Sequence, residues 1–241
     1  MIRQVDKSGA RVRRMFGQIA DRYDFLNHLL SLNTDRYWRW RAVRRVPVTE
    51  GDAVLDVCTG TGDLALAFHR HSGGKARVVG ADFCHQMLVI GSDKGKRAGA
   101  DGQITWVEAD SQQLPFPDNS FQVVSVAFGL RNIADTDCGL REMARVCSVG
   151  GTVVILEFSL PRFPPLRAAY GAYFRHVLPR VGQLLARNQE EAYNYLPASV
   201  GQFPQDETLA ERMRHAGLGS VRWHSLTLGV ATLYLGKKEA G

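Results

Sequence analysis

The chain has 241 residues, of which 45% are hydrophobic, and its formal net charge is +6. This length predicts one domain with insertions. Because the sequence shows no run of about 18 apolar residues and no signal peptide, we expect a soluble, cytoplasmic protein. The four cysteines form no CxxC pair and have no histidine at a metal-ligand spacing, which disfavours both a disulfide framework and a metal site.

The first 50 residues carry the whole net charge, because eleven lysines and arginines stand there against five acidic residues. We interpret residues 1–50 as a basic helical cap that faces an anionic surface, either phospholipid or nucleic acid. A solvated helix face explains the charge equally well. On a lipid surface, the residues expected to meet the headgroups are Arg36, Tyr37, Trp38, Arg39, Trp40 and Arg41.

Residues 51–160 alternate short β-branched runs with segments of helical periodicity, as in AVLDV, LALAFHRH and ARVVGAD. This alternation predicts a doubly wound α/β fold with a parallel sheet and crossover helices. Ligands bind such sheets at the carboxyl ends of the strands. We therefore expect residues 51–160 to form a cofactor-binding core within a single domain that spans residues 1–241.

The alternation of strand-like and helical segments ends after residue 160. Residues 161–204 are helical by periodicity and interrupted by prolines, which predicts a lid insertion over the ligand crevice. Residues 205–241 predict a helix followed by a terminal hairpin. Four lid residues at helical spacing could line an isoprenoid channel or form an ordinary buried helix face; they are Tyr170, Tyr173, Phe174 and Leu178.

The stretch DVCTGTGD follows the first predicted strand. Gly60 and Gly62 allow a nucleoside cofactor to approach the backbone closely, and their spacing fits a dinucleotide as well. The carboxylate of Asp63 would compete with a phosphate for the amides at the start of the next helix, and Asp56 adds a second negative charge. Both acids favour S-adenosylmethionine, whose sulfonium and ammonium groups are cationic.

Two further acids end the next predicted strands. Asp82 ends the second strand and is placed to accept hydrogen bonds from both ribose hydroxyls of an adenosine. Asp110 follows the third strand and can accept the adenine amino group. The alternatives are helix capping for Asp63 and Asp110 and turn formation for Asp82.

Longer stretches resemble a known family. The sequences DVCTGTGD, GADFCHQML, EADSQQLPFPDNSFQVVSVAFGLRNI and LREMARV, together with MFGQIADRYDFLNHLLSLNTDRYWR and AYNYLPASVGQFP, resemble the UbiE/MenG quinone C-methyltransferases over residues 12–238. The resemblance implies the fold of a class I S-adenosylmethionine-dependent methyltransferase. It also implies that Thr61, Asp82, Asp110 and Ser111 contact the cofactor. Ala127 departs from the family, in which a serine is common at this position.

The resemblance also implies the reaction: S-adenosylmethionine-dependent C-methylation of a prenylated quinol ring. We expect demethylmenaquinol to be converted to menaquinol in menaquinone biosynthesis. The alternative substrate is the methoxy-polyprenyl benzoquinol of ubiquinone biosynthesis. The loop CTGTGD, in place of the AGGTGD form, favours the naphthalene ring.

The sequence GLRN follows the fourth predicted strand, at the mouth of the crevice. We predict that Arg131 stabilises the developing phenolate or orders a water, that Asn132 orients a quinol oxygen, and that Tyr23 serves the same face. The alternatives are a structural ion pair for Arg131, a helix cap for Asn132 and core packing for Tyr23.

Two other function classes stay open at this point. A nucleic-acid-binding protein or methyltransferase is disfavoured because no RNA-binding signature, Asn/Asp-Pro-Pro-Tyr motif or second basic patch is present. An NAD-dependent oxidoreductase is disfavoured by Asp63 and by the lack of a Tyr-x-x-x-Lys pair. The expected partners are the prenylated quinol, transiently an anionic membrane surface at the inner face of the membrane, and a second copy in a homodimer, with no nucleic acid.

Overall fold

The computed structural model describes residues 6–177, 180 and 192–240. Its strands are β1 Ala53–Val57, β2 Arg77–Asp82, β3 Ile104–Glu108, β4 Phe121–Ala127, β5 Cys147–Phe158, β6 Leu218–Leu226 and β7 Ala231–Lys238. Its α-helices are α1 Gly9–Leu30, α2 Thr34–Val43, α3 Asp63–His71, α4 His85–Arg97, α5 Thr136–Val146, α6 Pro164–Ala172, α7 Ala192–Gln202 and α8 Glu207–His215. A π-helical turn, Tyr173–Val177, follows α6.

The seven strands form one sheet in the order β3-β2-β1-β4-β5-β7-β6. Strands β1 to β5 pair in parallel, while β7 runs antiparallel to both β5 and β6. The strand order reverses between β1 and β4, which opens a crevice at their carboxyl ends. The sheet confirms the predicted doubly wound α/β fold class with a terminal antiparallel hairpin.

Apolar side chains bury both faces of the sheet. Helices α5 and α8 cover one face through residues such as Leu140, Met143 and Leu209, each fully buried. Helices α2 and α3 cover the other face with Trp38 and Phe68. Each such side chain contributes about 1.5 to 3 kcal/mol through burial, so the sheet is a firm base for the loops at its edge.

A third, smaller core lies above the carboxyl ends of the strands. Met15 and Ile19 of α1 pack there against Phe174 of the π-helical turn and Tyr195 of α7. Helix α1 and the described part of residues 161–204 therefore pack against each other as well as against the core. Leu178, predicted as a fourth residue of the lid stripe, lies outside the described residues.

The aromatic and basic residues of α2 divide between interior and surface. Trp38 is 1% exposed and donates a hydrogen bond to Thr227 Oγ1 at 2.7 Å, so the prediction that it inserts into lipid is wrong. Arg39 is also turned inward and pairs with Asp35 at 2.5 Å. Tyr37 and Trp40 are 47% and 46% exposed. Helical periodicity explains the division, because alternate positions of one helix cannot share a face.

None of the helices in the described part of the chain combines the length and the apolar character that crossing a bilayer requires.

Candidate active site

The loop that joins β1 to α3 turns sharply through three left-handed residues, Cys58, Gly60 and Gly62, with φ of 50°, 57° and 80°. Gly60 borders the cavity at the carboxyl ends of the strands. Gly62 has a different role, because a Cβ there would overlap the indole ring of Trp106 on β3. Packing against Trp106 alone therefore requires a glycine at position 62, and the predicted cofactor contact of Gly62 stays a prediction.

Asp82 closes this loop from the neighbouring strand. Its carboxylate accepts the amides of Gly60 and Cys84, each at 2.8 Å, and the side chain is buried against the cavity. Burial raises the pKa of Asp82 to about 6, although the two amides oppose the shift. Turn formation and ligand binding are therefore compatible roles, since a carboxylate has more lone pairs than the two amides use.

Asp56 is almost fully buried, with 1% exposure. Its two oxygens accept the hydroxyls of Thr59 at 2.6 Å and Ser125 at 2.8 Å, which ties β1 to the loop and to β4. Burial raises the pKa of Asp56 to about 6, and the hydroxyls only partly counteract this shift. Asp56 therefore links β1 to the loop and to β4 through hydrogen bonds, and its carboxyl group can still ionise at the edge of the cavity.

We predict that Asp56→Asn stabilises the ligand-free protein at pH 8 by about 2 kcal/mol and has no such effect at pH 4. The pKa of about 6 lies above the ordinary 3.8, so the stability contributed by protonated Asp56 is present below pH 4 and lost as the pH rises to about 6. The amide avoids this loss. Urea unfolding at both pH values tests the prediction, and equal gains at pH 4 and pH 8 would contradict it.

The carboxylate of Asp63, at the start of α3, is paired with cations from two other helices. Lys94 of α4 lies 2.5 Å from Asp63 and 2.6 Å from Asp24 of α1, and Arg39 approaches Asp63 at 3.5 Å. Because these cations neutralise Asp63, its charge is no argument against a phosphate. Thr61 belongs to the same cluster and donates to Asp24.

One group in this cluster has the donor atoms of a metal site. His28, Asp35 and Asp63 place ligand atoms within 4.8 Å of one another. Arg39, however, is ion-paired to both Asp35 and Asp63. Its guanidinium therefore already neutralises the carboxylates that a metal ion would need as ligands. We therefore describe the group as part of the ion-pair cluster that joins α1, α2, α3 and α4.

The cofactor cavity has a volume of about 690 Å³ and lies over the carboxyl ends of β1, β2 and β4. It brings together six of the predicted residues: Tyr23, Gly60, Asp82, Asp110, Ser111 and Asn132. Asp56 and Thr61 border a smaller adjoining cavity of about 320 Å³, which shares Tyr23 and Gly60 with the first. Asp110 accepts the amide of Gln112 at 2.9 Å, which is a turn contact and not a helix cap.

A second, larger cavity of about 1320 Å³ lies between α1, α2 and the lid insertion. Its lining is mostly apolar and includes Ile19, Trp38 and Phe158, together with the predicted channel residues Tyr170, Tyr173 and Phe174. Phe16, Tyr23 and Phe128 border both this cavity and the cofactor cavity. The two spaces therefore meet at these three aromatic side chains.

Arg131 is buried at this junction, in a 3₁₀ turn after β4. Its Nη1 pairs with Glu157 Oε2 at 3.0 Å and also donates to the carbonyl of Phe128. The predicted alternative of an ion pair is thus present. The guanidinium nevertheless borders the large cavity, and Nε has no partner among the described residues.

Asn132 and Tyr23 complete the junction. Asn132 does not cap α5, because Asp135 does so by accepting the amide of Cys138 at 2.9 Å. Within the described residues, Asn132 Oδ1 is buried without a partner. Burial raises the pKa of Tyr23, with Arg131 and Arg39 opposing the shift, so its hydroxyl stays protonated at neutral pH and can donate a hydrogen bond. Tyr23 borders all three cavities, and its ring also packs edge-on against Phe16, so the predicted catalytic role and the packing alternative both stay open.

Several residues of the site were missed at the sequence level. Phe16 and Val12 border the cofactor cavity from α1, one helical turn apart and in phase with Tyr23. This periodicity was a usable signal. Tyr195 of α7 borders the large cavity, and nothing in its local sequence distinguishes it from a core residue.

A seven-stranded sheet of this order, with a nucleoside-sized cavity between β1 and β4, defines the class I methyltransferase fold. Solved structures support this class. An S-adenosylmethionine-dependent methyltransferase of Thermotoga maritima aligns with a TM-score of 0.64 and 18% identity, covering 93% of this chain and 98% of the other. At that identity the likeness concerns the fold alone.

Sequence comparison identifies the family. The model of the ubiE/COQ5 methyltransferase family matches residues 4–238. The ubiquinone/menaquinone biosynthesis C-methyltransferase of Geobacter sulfurreducens is 45% identical over 235 residues, covering 98% of this chain and 91% of that protein. The demethylmenaquinone methyltransferase of Porphyromonas gingivalis is 44% identical, covering 95% and 93%. The chain belongs to the ubiE/COQ5 methyltransferase family, which confirms the predicted family and enzyme class.

Proposed function

We propose that the chain transfers a methyl group from S-adenosylmethionine to a ring carbon of a prenylated quinol. The predictions of methyltransferase activity in quinone biosynthesis and of S-adenosylmethionine as cofactor are confirmed by the family. We favour demethylmenaquinol as the substrate, and the methoxy-polyprenyl benzoquinol is the alternative. The names of the two relatives above cover both ring types.

One observation carries the proposal: a nucleoside-sized cavity and a large apolar cavity meet at a polar junction. The apolar cavity is lined mostly by apolar and aromatic side chains, which suit a bicyclic ring and part of an isoprenoid chain. Tyr23 borders both spaces, while the neighbouring residues Asn132 and Arg131 border the cofactor cavity and the apolar cavity, respectively. A ring held there would face the cofactor with one edge while its chain extended into apolar surroundings.

The residues of the cofactor cavity fit S-adenosylmethionine. Asp82 offers a carboxylate for ribose hydroxyls, and Asp110 and Ser111 offer oxygen acceptors near the next strand end. Asp56, in the adjoining cavity, adds a negative charge for the cationic end. When bound, S-adenosylmethionine supplies a methyl group activated by its positive sulfonium.

The chain itself prepares the quinol. A ring carbon becomes nucleophilic as the adjacent hydroxyl loses its proton, so the residues around that oxygen control the reaction. Arg131 Nε can donate to the developing phenolate, while Asn132 Oδ1 can accept the hydroxyl before ionisation. Tyr23 donates a further hydrogen bond from the same junction. One proton, displaced from the ring carbon, is released to solvent overall.

The proposal is tested with a short-chain demethylmenaquinol and S-adenosylmethionine labelled in the methyl group. We expect label in the ring of the product, and calorimetry should detect binding of S-adenosylmethionine but not of NAD. The matching benzoquinol, assayed in parallel, decides between the two ring types. Absence of label from both products, or tight binding of NAD, would refute the proposal.

We further propose that the enzyme docks transiently on an anionic membrane surface at the inner face of the membrane, where a polyprenyl quinol resides. The exposed residues that support docking are Arg36, Tyr37, Trp40, Arg44 and Arg45. Tyr37 stacks on Trp40 with ring centroids 6.0 Å apart, and the Arg44 guanidinium lies 4.9 Å from the Trp40 ring.

The homodimer stays a prediction, which sedimentation of the protein in solution would test.

We predict that Arg44→Glu with Arg45→Glu lowers binding to anionic vesicles at least tenfold at low salt. Each basic residue near an anionic leaflet contributes about 1 kcal/mol, so reversing two charges has a large effect. The control, Arg77→Glu with Arg97→Glu, makes the same charge change outside residues 1–50. Co-sedimentation with anionic and neutral vesicles measures the effect, and equal losses in both variants would contradict a specific docking face.

A further inference from the structure

Unpaired polar atoms concentrate at the two ligand cavities. Within the described parts of the chain, six buried side-chain nitrogen or oxygen atoms have no hydrogen-bond partner. Four of these atoms belong to residues that border the cofactor cavity or the apolar cavity: Arg131, Asn132, Tyr170 and Tyr195. Because an unpaired buried polar atom is unfavourable, this concentration indicates groups that a ligand satisfies.

The proposed chemistry at the reacting carbon uses Arg131 and Asn132 and leaves the two tyrosine hydroxyls unexplained. Tyr195 of α7 is 7% exposed, and the Arg11 guanidinium lies 5.8 Å from its ring. Burial raises the pKa of both Tyr195 and Tyr170, so both hydroxyls keep their protons and can donate. The positive charge of Arg131, which borders the same cavity, opposes the shift in each.

A third tyrosine on the same cavity shows the usual arrangement. Tyr173 donates its hydroxyl to the carbonyl of Leu30 at 2.8 Å, so its polar end is satisfied within the protein. Tyr170 and Tyr195 have no such contact among the described residues. The protein can therefore satisfy a tyrosine hydroxyl at this cavity wall, and it does so at Tyr173.

We infer that Tyr195, together with Tyr170 on the wall of the same cavity, binds the second ring oxygen of the quinol, the one remote from the methylated carbon. This inference rests on the proposed function. A hydroquinone carries two oxygens at opposite edges of the ring. If Arg131 and Asn132 hold the oxygen next to the reacting carbon, the other enters a largely apolar cavity, where it needs a polar partner. The two hydroxyls supply that partner and make the site selective for rings with both oxygens.

The test compares binding of 1,4-dihydroxynaphthalene and 1-naphthol, which lacks the second oxygen, under argon with S-adenosylhomocysteine present. The parent should bind the diol more tightly. Tyr195→Phe should weaken binding of the diol roughly 3- to 10-fold and leave binding of 1-naphthol unchanged, because the lost hydrogen bond exists in only one complex. Tyr170→Phe should act in the same direction. Tyr173→Phe, the matched control, should not change the ratio.

Equal losses for both probes in Tyr195→Phe would show a packing role and overturn the inference. So would a parent that binds both probes equally or binds neither. These outcomes are distinct from failure of the proposed function, which is decided by methyl transfer to the short-chain quinol. A parent that methylates the quinol but ignores the second oxygen would keep the function and reject the roles of Tyr195 and Tyr170.

Discussion

The double variant Arg131→Met with Glu157→Gln is expected to fold and to lose methyl transfer by about 10²- to 10³-fold. Arg131 alone is a poor target, because its removal would leave the buried Glu157 carboxylate unpaired and destabilise the protein by about 3 to 5 kcal/mol. Removing both charges avoids that penalty. The side-chain amide introduced by Glu157→Gln would still offer a carbonyl oxygen to the Arg131 amide, which donates to Glu157 at 3.1 Å in the parent.

The single variant Glu157→Gln is the control, since it keeps the guanidinium at the junction. It removes the counter-charge of the buried Arg131, so we expect it to be less stable than the parent, and its turnover is measured well below its unfolding temperature. We expect it to retain most of the turnover that the double variant loses. Calorimetric titration of S-adenosylmethionine should show affinities close to the parent in both, because Arg131 borders the apolar cavity and not the cofactor cavity. If the double variant lost cofactor binding and turnover to the same extent, Arg131 would have a structural role.

The fold could be predicted from the sequence because the patterns that indicate strands and helices are local. The alternation of β-branched runs and helical periods locates β1 to β5 and their crossovers, and the right-handed crossover then limits the topology. The strand-end acids were predictable for a related reason, since carboxyl ends of parallel strands meet at one edge. Asp82 and Asp110 accordingly border one cavity although 28 residues separate them.

The side-chain partners of residues around the site could not be predicted, because the two members of each pair lie far apart in the sequence. Lys94 pairs with Asp24 across 70 positions, and Trp38 donates to Thr227 across 189. The same limitation affected the inference from Asp63, whose charge is neutralised by Lys94 of another helix. A count of local charges cannot show which are compensated; only the packing of α1 and α2 on the core decides it.

Two buried acids show how the site differs from the rest of the core. Burial raises the pKa of Asp56 and of Asp82 to about 6, so their ionised forms reduce the stability of the ligand-free fold near neutral pH. A cationic ligand stabilises the ionised carboxylates and so offsets this loss of stability. The same burial that reduces stability therefore strengthens binding, and affinity for S-adenosylmethionine should decline as the pH falls below about 6.

The contact of Asp82 with the cofactor is expected to account for about 1.5 to 3 kcal/mol of binding free energy, so Asp82→Ala should weaken S-adenosylmethionine by about 10- to 150-fold. Two causes contribute in this variant. The ribose hydroxyls lose a charged acceptor, and the amides of Gly60 and Cys84 lose the carboxylate that fixes the loop. Glu108→Ala is the control, since it removes an exposed acid at the end of β3.

The two causes are separable with a ligand that lacks the ribose hydroxyls. S-adenosylhomocysteine and its 2′,3′-dideoxy analogue should differ strongly in affinity for the parent and little for Asp82→Ala, because only the parent retains the carboxylate that the hydroxyls contact. Loss of loop order alone would weaken both ligands equally. Calorimetry that showed unchanged affinity for S-adenosylmethionine in a folded Asp82→Ala variant would reject the ribose contact, and with it the orientation of the cofactor on which the position of the reacting methyl group depends.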